Sequence, residues 1–467
     1  PGKYVRQVSA DPYTLSVHMH HSLIQLPDDN YTPRKFSPQS GYWSVEHKNY
    51  AAGLDESMYV RHIPRHRLIK KDPSLAVSEP VEPIVYYLDP GVPEPVKTAL
   101  LEGGQWWNDA FNAAGYKNAF EVKVLPDNAD PMDVRYNVIQ WVHRATRGWS
   151  YGSSIIDPRT GEIIKGHVTL GSLRVRQDIL IAESLAAPYL KGNEVASTLQ
   201  AMALDRIRQL SAHEIGHTLG IAHNFAASVN NRASVMDYPH PLLSFADNGQ
   251  LDVSQGYAKG MGAWDTQVIK YGYSDFTGQD ESAALAAILQ QNKAQGLAFI
   301  SDSDARAKGG AHPTAHLWDN GSNPSEELLR VLDVRKQALG QFGINNIKTG
   351  VALSQLEEKL VPLYLFHRYQ VEAVAKLIAG VDYDYEIRSD APVKGAQVVT
   401  KDAQQQAVNA ILATLKASNL TIPESILSLI VPKAYGESKS RESIVGRTGL
   451  TMDALALPEV AAQHSLS

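Results

Sequence analysis

The chain has 467 residues, 43% of them hydrophobic and 20% charged, which is the balance of a globular protein large enough for two or three domains. Its formal net charge of −6 supplies no basic field for nucleic acid, and no apolar run approaches the roughly 20 residues that cross a bilayer. Cysteine is absent, which excludes disulfides, a thiol nucleophile and thiolate-bound zinc together, so a metal site here must be built from histidine and carboxylate.

Residues 1–78 are rich in His, Tyr, Pro and Arg and read as short strands and loops, with an alternating piece at Tyr13 to Val17 and a turn at Pro27 to Asn30. His18, His20 and His21 lack a carboxylate or further histidine at a defined offset, so exposed imidazoles are the expectation. The basic run through Arg61-His62, Arg65-His66-Arg67 and Lys70-Lys71 reads as a solvated face or a contact with the acidic remainder. The chain starts at Pro1 with neither Met nor a basic-then-apolar leader, so a processed or excised start is expected.

A second segment, 79–274, has the rhythm of a layered α/β structure. Pro83 to Leu88 predicts a buried strand ended by Asp89-Pro90-Gly91, and Pro93 to Ala114 predicts one helix stopping at Gly115. Strands are expected over Phe120 to Leu125 and Val138 to Val142. The run Ser153 to Leu170, turning at Asp157 to Gly161, predicts a hairpin. One arm of that hairpin is either an edge strand able to hold an extended peptide or part of an ordinary meander. Helices follow over Arg174 to Leu190 and Ser197 to Leu219, with a loop at Gly192-Asn193 between them. From Asp275 the composition turns to Ala, Leu, Gln and Lys. Helical periodicity recurs over Ser282 to Gln295, Ser325 to Phe342, Ser354 to Ala379 and Asp402 to Ser418, the third interrupted at Pro362, so 275–467 reads as a helical region.

The chemistry concentrates in Ser211 to Asn224, SAHEIGHTLGIAHN. His213 and His217, four apart on a helix, stand on one face a single turn from each other and can converge on one ion. Glu214 lies about 100° around from His213, too far to share the ion but placed to hold a water beside it, which is the position of a base. Gly220 can take φ > 0, end the helix and bring His223 to a third coordination place, leaving the fourth place of a tetrahedral zinc for water. Zinc would make that water acidic and polarise a carbonyl, and Glu214 would carry its proton to a leaving amine. With 16 His and 33 Gly in the chain, a chance match to this pattern is on the order of 10⁻⁷ per starting position, so a helix whose histidines only fill polar gaps is the poorer account.

These residues resemble the metzincin metallopeptidases, and Met236 in Ser234-Val235-Met236-Asp237-Tyr238 matches the methionine turn that such enzymes carry beneath the metal. The resemblance implies an α+β fold in which a mixed twisted sheet and an active-site helix are joined to a mainly helical C-terminal region. It also implies one catalytic zinc on His213, His217 and His223, Glu214 as general base, Met236 in the turn and Tyr238 as an oxyanion stabiliser. A core or rim tyrosine is the rival account of Tyr238. More narrowly, Tyr86 to Pro90, Trp106-Trp107-Asn108, Ala315 to Gly321 and Phe366 to Gln370 are similar to the large bacterial exported metzincins known mainly as domains of unknown function. Those proteins are usually longer, and by that resemblance the chain would be a processed or truncated form acting outside the cytoplasm. Asn224 follows the third histidine where other branches carry Asp, Glu, Ser or Pro, so no substrate preference transfers. The reading is a zinc endopeptidase acting on peptide or protein. The alternatives are a zinc-stabilised binding or scaffold protein, and a latent enzyme whose N-terminal segment covers the cleft. Asp302, Asp304, Asp319 and Asn320 flank a glycine loop and could bind calcium, although their spacing is not that of an EF-hand. His312, His316 and His367 read as packed core or interface histidines.

Overall fold

The computed structural model describes residues 2–144, 149–189, 192, 197–307, 309–388, 392–440 and 442–467. They fall into two compact units, Pro1–Asn30 and Tyr31–Ser467. In the first unit a short helix, α1 (Lys3–Val8), is followed by irregular chain. The strand expected over Tyr13 to Val17 is absent, because this exposed stretch has no strand within its own unit to complete a ladder.

The second unit is built on a five-stranded mixed sheet. A small antiparallel pair, β1 (Val45–Lys48) with β2 (Tyr59–His62), precedes it. The sheet strands are β3 (Ile84–Leu88), β4 (Phe120–Val124), β5 (Asn137–Val142), β6 (Tyr151–Ile156) and β7 (Ile163–Gly171), in spatial order β4-β3-β5-β7-β6. Four strands run parallel, while β6 returns antiparallel along β7 through the predicted hairpin and lies at the end of the sheet. The β-branched and aromatic run of β3 alternates between buried and half-buried residues in the interior of that sheet, between β4 and β5.

The single helix expected between β3 and β4 is two, α2 (Val96–Gln105) and α3 (Trp107–Ala113), bent at Trp106. Beyond β7 come α4 (Leu173–Ala186) and the long α5 (Ser197–Thr218). Leu190 and Asn193, in the predicted end of the first of these and the loop after it, lie outside the described residues. Further helices are α6 (Ala263–Tyr273), α7 (Glu281–Ala294), the one-turn α8 (Asp302–Ala305), α9 (Pro324–Gln341), α10 (Leu356–Tyr364), α11 (Arg368–Ala375) and α12 (Lys401–Thr414). Pro362 sits inside α10, and the break expected at it falls instead at residues 365–367. No helix of the described residues is long and apolar enough to cross a membrane.

Packing does not follow the composition shifts. The boundary between the compact units falls at Asn30/Tyr31, and neither 78/79 nor 274/275 divides the core. Tyr42, Ile63 and Leu68 belong to the same buried cluster as β3, α3 and α5. Arg34, 4% exposed, donates to the Tyr271 carbonyl at 2.8 Å and the Ser274 carbonyl at 3.0 Å, fastening this early segment to the end of α6. A second cluster joins Ala182 and Leu185 of α4 and Leu199 and Met202 of α5 to α9 and α10, so the helical region continues the core around the long helix. Ile63→Ala, at a fully buried site, is therefore expected to cost about 2–5 kcal/mol, measured by denaturant unfolding, even though its segment precedes the sheet.

Candidate metal centre

Helix α5 is buried on all sides over its last three turns, and its buried set includes Gln209, Ser211, His213, Glu214, His217 and Thr218 as well as apolar residues. Buried polar groups need partners, and most here have them. Ser211 Oγ donates to the Leu100 carbonyl at 2.7 Å, Gln209 Nε2 to the Val235 carbonyl at 2.8 Å and Thr218 Oγ1 to the Ile215 carbonyl at 2.7 Å. Trp107 of α3 donates through Nε1 to the Ala212 carbonyl at 2.8 Å and so pins the helix against the sheet side of the core.

The three motif histidines converge. Each offers a ring nitrogen within 4.8 Å of the others, and among the described residues no other group of three His, Cys, Asp or Glu does so. The Nε2 atoms of His217 and His223 are 3.1 Å apart. What aims them is the bond at the other nitrogen of each ring. His213 Nδ1 meets the Val235 carbonyl at 2.7 Å, His217 Nδ1 the Ile221 carbonyl at 2.8 Å, and His223 Nδ1 the Asp302 carboxylate at 2.8 Å. With every Nδ1 engaged by an acceptor, all three Nε2 lone pairs are left for a cation. Burial, reinforced by the neighbouring rings, holds His213 well below its ordinary value and His217 at about 3, so both are neutral, as ligation requires. The donor set fits zinc.

Gly220 makes the third ligand possible. Its φ of +95° is open to glycine, and a Cβ there would stand 2.1 Å from the Pro64 carbonyl oxygen. The returning chain then pairs Ile221 with Tyr42, and Trp43 stacks on His217 with ring centroids 5.2 Å apart. Met236 is fully buried, with its sulfur where a Cβ on Gly216 would be only 2.3 Å away, so glycine inside the motif is what lets the thioether lie against the helix. The turn is held by Asp265 of α6, which accepts from Ser234 Oγ at 2.6 Å, the Val235 N–H at 2.9 Å and the Gly262 N–H at 2.7 Å.

Glu214, like Arg206 with its unpartnered Nε, is an exception on this helix. It is 5% exposed, and its Oε2 has no partner. Burial pushes its carboxyl up to about 8 against the opposing charges of Arg206 and Arg174 and the N–H of Gly152 in β6. Tyr238 lies over the cluster, its ring 5.4 Å from His213 and 4.9 Å from His223, with the Arg306 guanidinium 5.0 Å above it. Arg306 also pairs with Asp302, so one residue turn carries the partners of both His223 and Tyr238.

The calcium expectation does not hold. Asp302 serves His223 and Arg306, and Asp304 takes the Tyr383 and Tyr385 hydroxyls. Asp319 is buried against Asp237 and Asn320 donates to the His240 carbonyl at 3.0 Å, and among the described residues none of the four joins a group of three His, Cys, Asp or Glu that could hold an ion. His18, His20 and His21 are exposed and do not assemble a metal group. His312, His316 and His367 are buried, as expected. Sequence reasoning missed Trp43, Asp265, Arg306 and Trp318, which reach the site only through tertiary folding. It also missed Arg206, which had a signal: a charged residue seven positions before His213 lies on the same helix face.

The comparisons with known proteins bear on this geometry. A family described as Met-zincin matches residues 196–467, which take in the histidine cluster and the methionine turn. The chain belongs to the Met-zincin family. With that membership come a metallopeptidase type of function, zinc as the metal, and peptide or protein as the class of substrate. Residues 3–71 match a second family, described as a domain of unknown function, DUF5117. No curated protein and no solved structure matches the chain.

Asp265 gives this metzincin a pH signature. Burial raises its carboxyl to about 7 from 3.8, so between those values the folded state holds a proton that the unfolded state has released. Stability from this group is greatest below about pH 4 and declines as pH rises to about 7. The stability of the wild type relative to Asp265→Asn should fall across that window and then level, as read by urea unfolding at a series of pH values.

Proposed function

We propose that the chain is a zinc endopeptidase in which His213, His217 and His223 hold the metal, Glu214 is the general base, Tyr238 steadies the developing oxyanion and Met236 floors the site. The observation that carries this reading is the Glu214 carboxyl, buried with one oxygen unpartnered on a helix whose buried Ser, Thr, Gln and His side chains are bonded. A fold that merely kept a structural metal would have no use for that cost.

Zinc bound there supplies Lewis acidity, making water a nucleophile near neutral pH and polarising the scissile carbonyl. Glu214 takes the proton from the attacking water as the new C–O bond forms. The protonated carboxyl then delivers that proton to the amine nitrogen as the C–N bond breaks. The Tyr238 hydroxyl donates to the carbonyl oxygen as negative charge grows on it, and Arg306 over the ring supports that position. Strand β6, at the free end of the sheet with its Gly152 N–H on Glu214, supports a substrate laid extended along that edge.

Glu214→Gln is expected to lower hydrolysis of an unfolded protein by about 10²–10⁴-fold with one zinc per chain retained by elemental analysis. Undiminished turnover would remove Glu214 from the mechanism. Asp302→Asn is expected to weaken zinc binding by about 10–100-fold in competition with a chromogenic chelator, because His223 then loses the carboxylate that orients its ring.

A further inference from the structure

The stretch that matches a domain of unknown function reaches the metal centre through Gly41, Tyr42 and Trp43. These residues run beside the chain that Gly220 turns back. The Trp43 N–H donates to the Gly220 carbonyl at 3.0 Å, the Ala222 N–H donates to the Gly41 carbonyl at 2.8 Å, and Tyr42 stands opposite Ile221 in an antiparallel bridge. Ile221 is the residue whose carbonyl engages His217 Nδ1, and His223 follows it two positions on. The bonds therefore fix the backbone that joins two of the three histidines.

The segment is itself anchored to α6. Tyr42 is 3% exposed, and its hydroxyl donates to the Val268 carbonyl at 2.9 Å. Gly41 has a φ of +79°, and a Cβ on it would stand 2.4 Å from the Trp264 ring. Trp43 differs from both, because it is 41% exposed and is no part of the core. Its indole lies flat on the His217 imidazole, with centroids 5.2 Å apart and planes at 16°, whereas the His213 and His223 rings meet that imidazole at 85° and 86°. Replacing a side chain so exposed takes little from folding stability.

We propose that Gly41–Trp43 is a clip for the metal centre: its backbone fixes the return of the chain to His223, and Trp43 is a positioning residue whose indole raises the affinity of the site for zinc. The inference rests on His217 and His223 as metal ligands. An imidazole bound to a divalent cation carries part of the positive charge, and positive charge is attracted to an indole face more than to a benzene ring or an alkyl side chain. The stack is thus stronger with metal than without, and a contact that is stronger in the bound state tightens binding. Part of the stretch of unknown function thereby acquires a role, the retention of the metal.

The test compares the full-length wild type with Trp43→Phe and Trp43→Leu. In competition with a chromogenic chelator, Trp43→Leu is expected to weaken zinc binding about tenfold and Trp43→Phe by roughly threefold. Urea unfolding of the metal-free proteins should give the same midpoint for all three. Cobalt(II) in place of zinc should quench tryptophan emission more in the wild type than in Trp43→Phe, since the indole on His217 lies nearest the ion. Affinity falling in the order Trp, Phe, Leu with unchanged metal-free stability supports the clip. Equal affinity in all three, or a fall matched by a loss of metal-free stability, overturns it. A wild type that binds no zinc overturns the ligand assignment and the clip together, whereas graded zinc affinity in a chain that hydrolyses no protein supports the clip and overturns the peptidase reading alone.

Discussion

Three hydrogen bonds at Nδ1 govern this molecule. A histidine can coordinate through either nitrogen, and its ring turns freely about Cβ–Cγ unless something fixes it. Here the acceptors are the Val235 carbonyl from the methionine turn, the Ile221 carbonyl from the chain that Gly220 turns back, and the Asp302 carboxylate from the helical region. Three separate stretches must therefore be in place before three Nε2 atoms can share one ion. The methionine turn in turn depends on Asp265, and Asp302 on Arg306.

This arrangement explains why the last three turns of the long helix are buried on every side. A helix with one wet face could not receive acceptors from all these directions, nor shelter Glu214 from water. The burial is expensive, because polar groups leave water, and it is offset by the apolar clusters on both sides of α5, one built with the sheet and the other with α9 and α10. Gly216 against Met236 shows how closely that packing is drawn, since even a methyl group in the motif would displace the sulfur.

The same dependence accounts for the layout of the chain. Residues 31–78 contribute to the core that carries the site. Ile63 and Tyr42 are part of the central core, and Trp43 reaches a proposed metal ligand. The helical region likewise contributes Asp302, Arg306 and Trp318 to the surroundings of the cluster. Composition separates these segments, whereas packing unites them.

What the sequence determined by itself is local. The i, i+4 spacing of His213 and His217, the intervening Glu214 and the turn at Gly220 were legible because helix geometry alone relates them, and the hairpin after Asp157 was legible from its turn residues. The bend at Trp106, the break after Pro362 and the irregular path of Tyr13 to Val17 were not, since neighbours rather than propensity decide them. Asp302 was visible as an acid but not as the partner of a histidine 79 positions earlier. Only the tertiary structure decided which acceptors aim the imidazoles, which segments enclose Glu214 and where Trp318 stands, because these contacts join distant residues and no spacing along the chain encodes them.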